Sequence, residues 1–196
     1  MGSAWEFPTS LNIGGIDYAI RTDYRAVLDL FAALNDPECF GETEEETNLI
    51  HANIILRIMF PDCDNIPAEH IQEALDKVAE FIDMSISEDR KKPKTMDWEQ
   101  DAPILIPAIN KVLNCEIRAE KHIHWWTFMG AYMEIGESLF SNIVHIRQKM
   151  ANHKKLEKWE QDFYKENKSL IDFKQKDQRS NEEKEKLRDY FGYKKK

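Results

Sequence analysis

Three short stretches decide the fold of this chain: D-W-E-Q-D-A (Asp97 to Ala102), H-W-W-T-F (His124 to Phe128) and I-R-Q-K (Ile146 to Lys149). The region that contains them, residues 97–150, is apolar around almost the whole circumference of its predicted helices. A helix that is apolar on all sides is normally buried, and adjacent tryptophans add large apolar side chains to such a core. We therefore expect this region to form the centre of a helical domain.

Length and composition bound the class of protein. The chain has 196 residues, of which 42% are hydrophobic, so it can form one domain with a real core, with or without a tail. No apolar run approaches the roughly 18 residues of a membrane span, and the first residues lack a secretory signal pattern. Cys39, Cys63 and Cys115 are odd in number and contain no C-x-x-C pair, which indicates reduced thiols. We expect a cytoplasmic protein that does not enter a membrane.

The net charge of −9 is unevenly distributed. Residues 147–196 carry 16 Lys and Arg against 10 Asp and Glu, whereas residues 1–146 carry 11 against 26. The acidic body makes a nucleic-acid surface unlikely on electrostatic grounds, because it would repel phosphate. Binding of nucleic acid by the basic tail stays a minor alternative. More simply, the tail could dock onto an acidic protein surface, including that of a second copy.

The N-terminal half predicts a hairpin followed by capped helices. Gly14-Gly15 separates two short apolar runs, as in a two-residue hairpin turn. Thr22 or Asp23 is the predicted cap of the first helix, and Thr43 with Glu46 forms a predicted capping box for the second. The apolar stripes at helical spacing are Val27, Leu30, Phe31 and Leu34 in the first helix, and Ile71, Ala74, Leu75, Val78 and Ile82 in the third.

The C-terminal half predicts four further helices and a tail. Asp97, with Gln100 at the box position, is a predicted cap, and residues 85–96 before it read as an exposed linker. Pro103 and Pro107 allow two readings: a helix that starts at Asp101 and is kinked at Pro107, or irregular first turns. A central helix is predicted over residues 120–136, the next is capped by Ser138, and the last carries Leu156, Trp159 and Phe163. The predicted organisation is a helical domain over 1–168 and a charged tail over 169–196.

Patterns that carry chemistry are weak in this sequence. The alternating acids of D-W-E-Q-D resemble a calcium loop, but Ala102 and Ala108 occupy the places that need glycine and glutamate. His122 and His124 would point about 200° apart on a helix, so they do not favour a shared metal ion. We interpret His124 as hydrogen-bonded within or beside the core and His122 as a surface residue. Phosphate-loop and nucleophile motifs are missing, so we expect no enzyme, no cofactor and no metal site.

Aromatic side chains are the candidate partner-binding residues. The cluster in the central helix can be read simply as core, or one tryptophan can serve as an exposed anchor for a protein partner. In the tail, three apolar residues share one face of a short helix that would be marginal alone and would gain stability on a partner. The candidates are Trp125, Trp126, Phe128 and Tyr132 in the cluster, and Leu187, Tyr190 and Phe191 in the tail.

The three opening stretches, together with the T-D-Y-R helix start at Thr22 to Arg25, resemble the "gene product fifteen" family of tailed phages and prophages of Gram-positive bacteria. The likeness spans nearly the whole chain and is weakest after about Lys168. The H-W-W-x-F element is its specific part. Pro103 and Pro107 depart from the alanine- and aromatic-rich helix that the family pattern leads us to expect there.

The resemblance implies a role in building the phage tail. Its closest genomic analogy is to tail assembly chaperones, which coat the tape-measure protein in the host cytoplasm until the tail tube protein polymerises around it. The implied partners are the tape-measure protein, the tube protein and further copies of this chain; no catalytic residue is implied. One alternative is a structural tail component that stays in the virion. Another is a host-directed regulator or nuclease-type enzyme that uses the basic tail on nucleic acid.

Overall fold

A computed structural model describes residues 5–84 and 93–174 of the chain, and its N-terminal element is the predicted β-hairpin. Strand β1 (Ser10–Ile13) pairs antiparallel with β2 (Ile16–Ala19), with Ile13 opposite Ile16. Gly14 and Gly15 make the turn with φ of +58° and +83°, a region that glycine enters without steric cost. Ile13 is buried at 1% exposure, and the hairpin lies against helix α3 (Ile71–Ile82).

The rest of the described chain is helical, which confirms the mainly α fold with a small hairpin. Besides α3, the helices are α1 (Tyr24–Leu34), α2 (Glu44–Met59), α4 (Ala102–Leu113), α5 (Trp125–Met133), α6 (Leu139–Ala151), α7 (Lys158–Glu166) and α8 (Lys168–Ile171). None of the helices in the described ranges is both long and apolar enough to cross a membrane.

Local capping places several helix starts as predicted. The side chain of Asp23 accepts from the backbone N–H of Arg25, and that of Ser138 begins α6 in a capping box with Ser141. The predicted box at α2 is half formed. Thr43 accepts from the Glu46 N–H, whereas the Glu46 carboxylate accepts from the N–H of residue 42. Each cap satisfies amide groups that the first helical turn leaves without partners.

The structure decides between the two readings of the fourth helix. Asp97 caps only a turn, accepting from the N–H of Gln100 at 3.0 Å, and α4 begins one turn later with Asp101 as its N-cap residue. That start agrees with the first of the two readings; Pro103 lies in the first turn, where no amide hydrogen is needed, and Pro107 lies inside the helix.

The central helix is shorter than the predicted span of 120–136. It begins at Trp125 because the preceding backbone pairs with the start of α1 instead of with itself. The Tyr24 N–H donates to Ile123 O at 2.9 Å, the Trp125 N–H donates to Thr22 O at 2.7 Å, and Asp23 bridges to His124. These bonds join residues about a hundred positions apart, so no local sequence pattern predicts them.

The core consists of a large cluster and a small one. The large cluster joins the hairpin and α1 to α5, and the small one is formed by Ile143, Ile146 and Ile171 with half-buried neighbours from α7. Ile171 is only 1% exposed, so the folded part continues past the predicted boundary at residue 168. Residues 175–196 of the predicted tail, and 85–92 of the predicted linker, lie outside the described residues.

Candidate functional site

The H-W-W-T-F stretch anchors α5 to the end of α3. Trp125 is 1% exposed and donates its indole N–H to the Ile82 carbonyl at 2.9 Å, and Trp126 donates to the Phe81 carbonyl at 2.8 Å. A buried indole needs such an acceptor, and a carbonyl in the last turn of a helix has a lone pair available for it. Trp98 packs edge-on against Trp125, with the ring centroids 6.2 Å apart. Trp125 and Trp126 therefore stabilise the fold both by packing their rings and by donating their indole N–H groups.

The candidate partner-binding residues do not share one surface. Trp125 and Phe128 are each 1% exposed, so in this conformation they belong to the core and offer a partner no area. Trp126 and Tyr132 are half-buried. Burial raises the pKa of the Tyr132 phenol, whose O–H donates to the sulfur of Met96. Partner binding through Trp126 and Tyr132 stays a prediction.

The three candidates in the tail cannot be placed. Leu187, Tyr190 and Phe191 lie outside the described residues.

His124 is a structural residue at the start of α5. Its Nδ1 accepts from the Trp126 N–H at 3.1 Å, so Nε2 carries the proton and donates to Pro8 O at 3.1 Å. The ring is 6% exposed and stacks on Phe7, and desolvation lowers its pKa. His122 is exposed beside the Thr22 hydroxyl. The interpretation of His124 as hydrogen-bonded beside the core, with His122 at the surface, is confirmed.

A buried ion pair, which the sequence analysis missed, joins α4 to α6. Arg147 is 4% exposed and Asp101 is 1% exposed, and two guanidinium nitrogens donate to the two carboxylate oxygens at 2.6 and 2.9 Å. Arg147 also donates to the carbonyls of Thr95, Leu170 and Ile171. Such a fork of donors suits one arginine that must satisfy several acceptors at once. The pair therefore holds three separate segments together.

The sequence contained a weak signal for this pair. Arg147 follows Ile146 directly, inside a helix whose apolar stripe also includes Ile143. A charged residue beside a buried stripe needs a partner, and Asp101 was read only as a helix-start carboxylate. Its pairing with a residue 46 positions away follows from tertiary packing and not from spacing.

A second buried carboxylate joins α6 to α7. Glu160 has 0% exposure, and its oxygens accept from Lys149 at 2.5 Å, from the ring of His145 at 3.0 Å and from the Glu157 N–H at 2.7 Å. The Lys149 hydrogen bond is the largest influence and lowers the pKa of Glu160 despite burial, which opposes it. These contacts of Glu160 join α6 to α7.

Several grooves lie on the surface of the described residues, and two of them border α1. An apolar groove of about 210 Å³ lies where α1, α2 and α3 meet, and a more polar one of about 250 Å³ lies between α1 and residues 94–99. We name the first the three-helix groove. Its lining is Leu30, Phe31, Leu34, Ile55, Leu75, Val78, Ala79, Ile82 and Asp83. Most of these belong to the apolar stripes predicted for α1 and α3, so part of each stripe has no helix of the described residues over it.

Groups suited to metal chemistry do not gather in the described part of the chain. Within residues 5–84 and 93–174, no three His, Cys, Asp or Glu side chains are placed to hold one ion. The three cysteines are free thiols and are half-buried. What the described geometry offers is apolar surface suited to docking a protein segment.

Comparison with known proteins assigns the chain to a family. A search of curated proteins and a search of solved structures returned no match. The family model described as Bacteriophage Gp15 protein matches residues 6–173. The match includes the hairpin, the aromatic core, the Asp101–Arg147 pair and the three-helix groove. The chain therefore belongs to the bacteriophage Gp15 protein family and is a phage protein.

Proposed function

We propose that this protein is a tail assembly chaperone, which binds the tape-measure protein in the cytoplasm of the bacterial host during tail morphogenesis. Membership of a phage family and the resemblance to proteins with that genomic role support the proposal. The observation that carries it is the three-helix groove, an apolar surface that no helix within residues 5–84 and 93–174 covers.

The groove suits the apolar ridge of an incoming helix. α3 contributes the half-buried side chains of Leu75 and Ile82, which lie seven residues apart, with Val78 buried between them. α1 contributes the half-buried Phe31 and Leu34 to the same groove. Paired stripes of this kind receive helices whose anchors recur every three or four residues. The volume of about 210 Å³ is below the roughly 300–1,000 Å³ of small-molecule pockets, so side chains fit it better than a metabolite.

A chaperone must also release its client before the tail is complete. A groove that is shallow and lined by few residues buries little area, which favours a complex that can dissociate. The acidic body adds an electrostatic contribution that salt screens, with a Debye length of about 8 Å at physiological ionic strength. We therefore expect the complex with the tape measure to weaken as salt is raised.

Co-expression with the tape-measure protein tests the proposal. The soluble fraction is captured through a tag on this chain and analysed by size-exclusion chromatography with light scattering. Under the proposal the tape measure becomes soluble and co-elutes with several copies. Leu34→Asp and Ile82→Asp place charge in the groove and should reduce the captured tape measure at least about tenfold, since a buried unpaired charge is strongly unfavourable.

A matched control separates binding in the groove from nonspecific binding to exposed apolar side chains. Leu139 is 44% exposed on α6 and lies outside the groove, so Leu139→Asp should leave capture unchanged. Circular dichroism melting of every variant checks that the fold is intact. If folded groove variants capture as much tape measure as the wild type, the groove is not the binding site. If the wild type captures none, the chaperone proposal fails.

A further inference from the structure

An acidic surface with exposed apolar side chains lies at the start of α2. Phe40 is 53% exposed and Leu49 is 66% exposed. Glu42, Glu44 and Glu45 lie between them in sequence and are exposed. Glu45 and Leu49 are four residues apart on the helix, so they share one face. We name Phe40, Glu42, Glu44, Glu45 and Leu49 the acidic surface.

A basic surface, which also contains exposed apolar side chains, lies where α6 ends and α7 begins. Met150 is 40% exposed and Trp159 is 51% exposed, and Lys154, Lys155 and Lys158 are exposed between them. Lys149 bonds to Glu160, which holds the two helix ends together and places these side chains on one corner of the fold. We name Met150, Lys154, Lys155, Lys158 and Trp159 the basic surface.

The charges of both surfaces are unused within the described structure. Among residues 5–84 and 93–174, no ion pair engages the carboxylates of the acidic surface or the ammonium groups of the basic surface. Helix dipoles favour acids at the start of α2 and bases after the end of α6. They do not account for large apolar side chains exposed among those charges, as Leu49 and Trp159 are.

We propose that copies of this chain associate head to tail, with the acidic surface of one copy on the basic surface of the next. The acidic surface offers three carboxylates, and the basic surface offers three ammonium groups beside one exposed carboxylate, that of Glu157, which accepts from the indole N–H of Trp159. The two surfaces are therefore complementary in net charge and in apolar content. An exposed tryptophan among lysines also suits single-stranded nucleic acid. The second copy is favoured because this chain itself carries the matching acidic partner.

Head-to-tail contact has a consequence that a symmetric dimer lacks. Each copy uses two different surfaces, so every added copy leaves one of each surface free, and growth continues until a ring closes or a filament forms. The contact involves no tape measure and does not depend on the proposed function. Its test therefore uses this chain alone.

Light scattering at rising protein concentration, in about 50 mM and about 500 mM salt, tests the association. The average mass of the full chain should rise with concentration in low salt and fall in high salt. Glu44→Lys with Glu45→Lys breaks the acidic surface, and Lys154→Glu with Lys155→Glu breaks the basic surface. Each double variant should associate at least about tenfold more weakly, because like charges then face each other.

Mixing the two double variants gives the decisive result. The intact basic surface of the first binds the intact acidic surface of the second, and the two reversed surfaces also carry opposite charges, so an equal mixture should associate although neither variant does so alone. Matched controls carry the same charge changes elsewhere on exposed, unpaired residues: Glu134→Lys with Glu137→Lys, and Lys111→Glu with Lys121→Glu. These should associate like the wild type.

Four results would overturn the proposal. The wild type could stay monomeric in low salt at every concentration, or both double variants could associate as the wild type does. The mixture could fail to associate although both variants melt normally. Lastly, reversal of Lys184, Lys186 and Arg188 could abolish association while reversal at Lys154 and Lys155 does not, which would make the C-terminal segment the occupant of the acidic surface.

Discussion

Removal of the Arg147 side chain should destabilise the protein more than any surface charge change. Arg147→Met keeps apolar volume but removes all five hydrogen bonds of the guanidinium, two of them to Asp101. Asp101 is 1% exposed, so its carboxylate stays buried without a counter-charge. Breaking one side of a buried pair costs about 3–5 kcal/mol. That is a large part of the roughly 5–15 kcal/mol that a domain of this kind has available.

Urea denaturation followed by tryptophan fluorescence measures this loss. The matched control is Lys165→Met, since Lys165 pairs with Asp162 where the two side chains are 72% and 57% exposed. An exposed pair contributes about 0–1 kcal/mol. Hydrogen exchange should also show loss of protection in residues 168–172, because Arg147 holds the carbonyls of Leu170 and Ile171 in that segment. If Arg147→Met costs no more than Lys165→Met, the Asp101–Arg147 pair does not hold the segments together as argued.

Three further perturbations have directions set by the structure. Trp125→Ala should cost about 3–5 kcal/mol by thermal unfolding because the ring is 1% exposed, whereas Trp159→Ala, at 51% exposure, should cost well under half of that. Gly14→Ala should cost about 1–2 kcal/mol, since φ is +58° and a Cβ would lie 2.6 Å from a histidine ring atom, so the turn must also shift. The hydrogen bond from the guanidinium of Arg118 lowers the pKa of Glu116 from 4.5 to about 2. Its stabilising contribution should therefore be complete above about pH 4.5 and lost as pH falls toward 2, with an NMR titration midpoint near 2; a midpoint near 4.5 would refute the ion pair.

Local chemistry explains which parts of the fold the sequence predicts. The turn at Gly14-Gly15 and the caps at Asp23 and Ser138 depend on residues within a few positions of one another, and the structure has them as predicted. The family assignment also followed from short contiguous elements, and the family match confirms it.

Features set by tertiary contacts were predicted poorly. α5 starts at Trp125 because backbone groups before it bond to Thr22 and Tyr24. Trp159 was placed on an apolar stripe but is 51% exposed, because the side of α7 that packs on α6 carries the buried Glu160. Periodicity shows which residues share a face of a helix, but it does not show which face finds a partner.

The same limit applies to the candidate site. The sequence pointed to the aromatic cluster, where burial assigns Trp125 and Phe128 to the core. The three-helix groove is formed by residues such as Leu34 and Ile82, which the sequence shows only as members of apolar stripes. Only the placement of the helices shows that these stripes are wider than the surfaces that cover them. A groove formed by apolar helix residues that packing leaves partly uncovered has no sequence motif of its own.

The central claim is that this protein binds the tape measure during assembly and then leaves. The most direct measurement is the number of copies per tape measure, by quantitative mass spectrometry, in tail assembly intermediates and in purified virions. The account predicts several copies in the intermediates and none in the virion. A fixed number of copies in finished virions, or none in the intermediates that contain the tape measure, would contradict it.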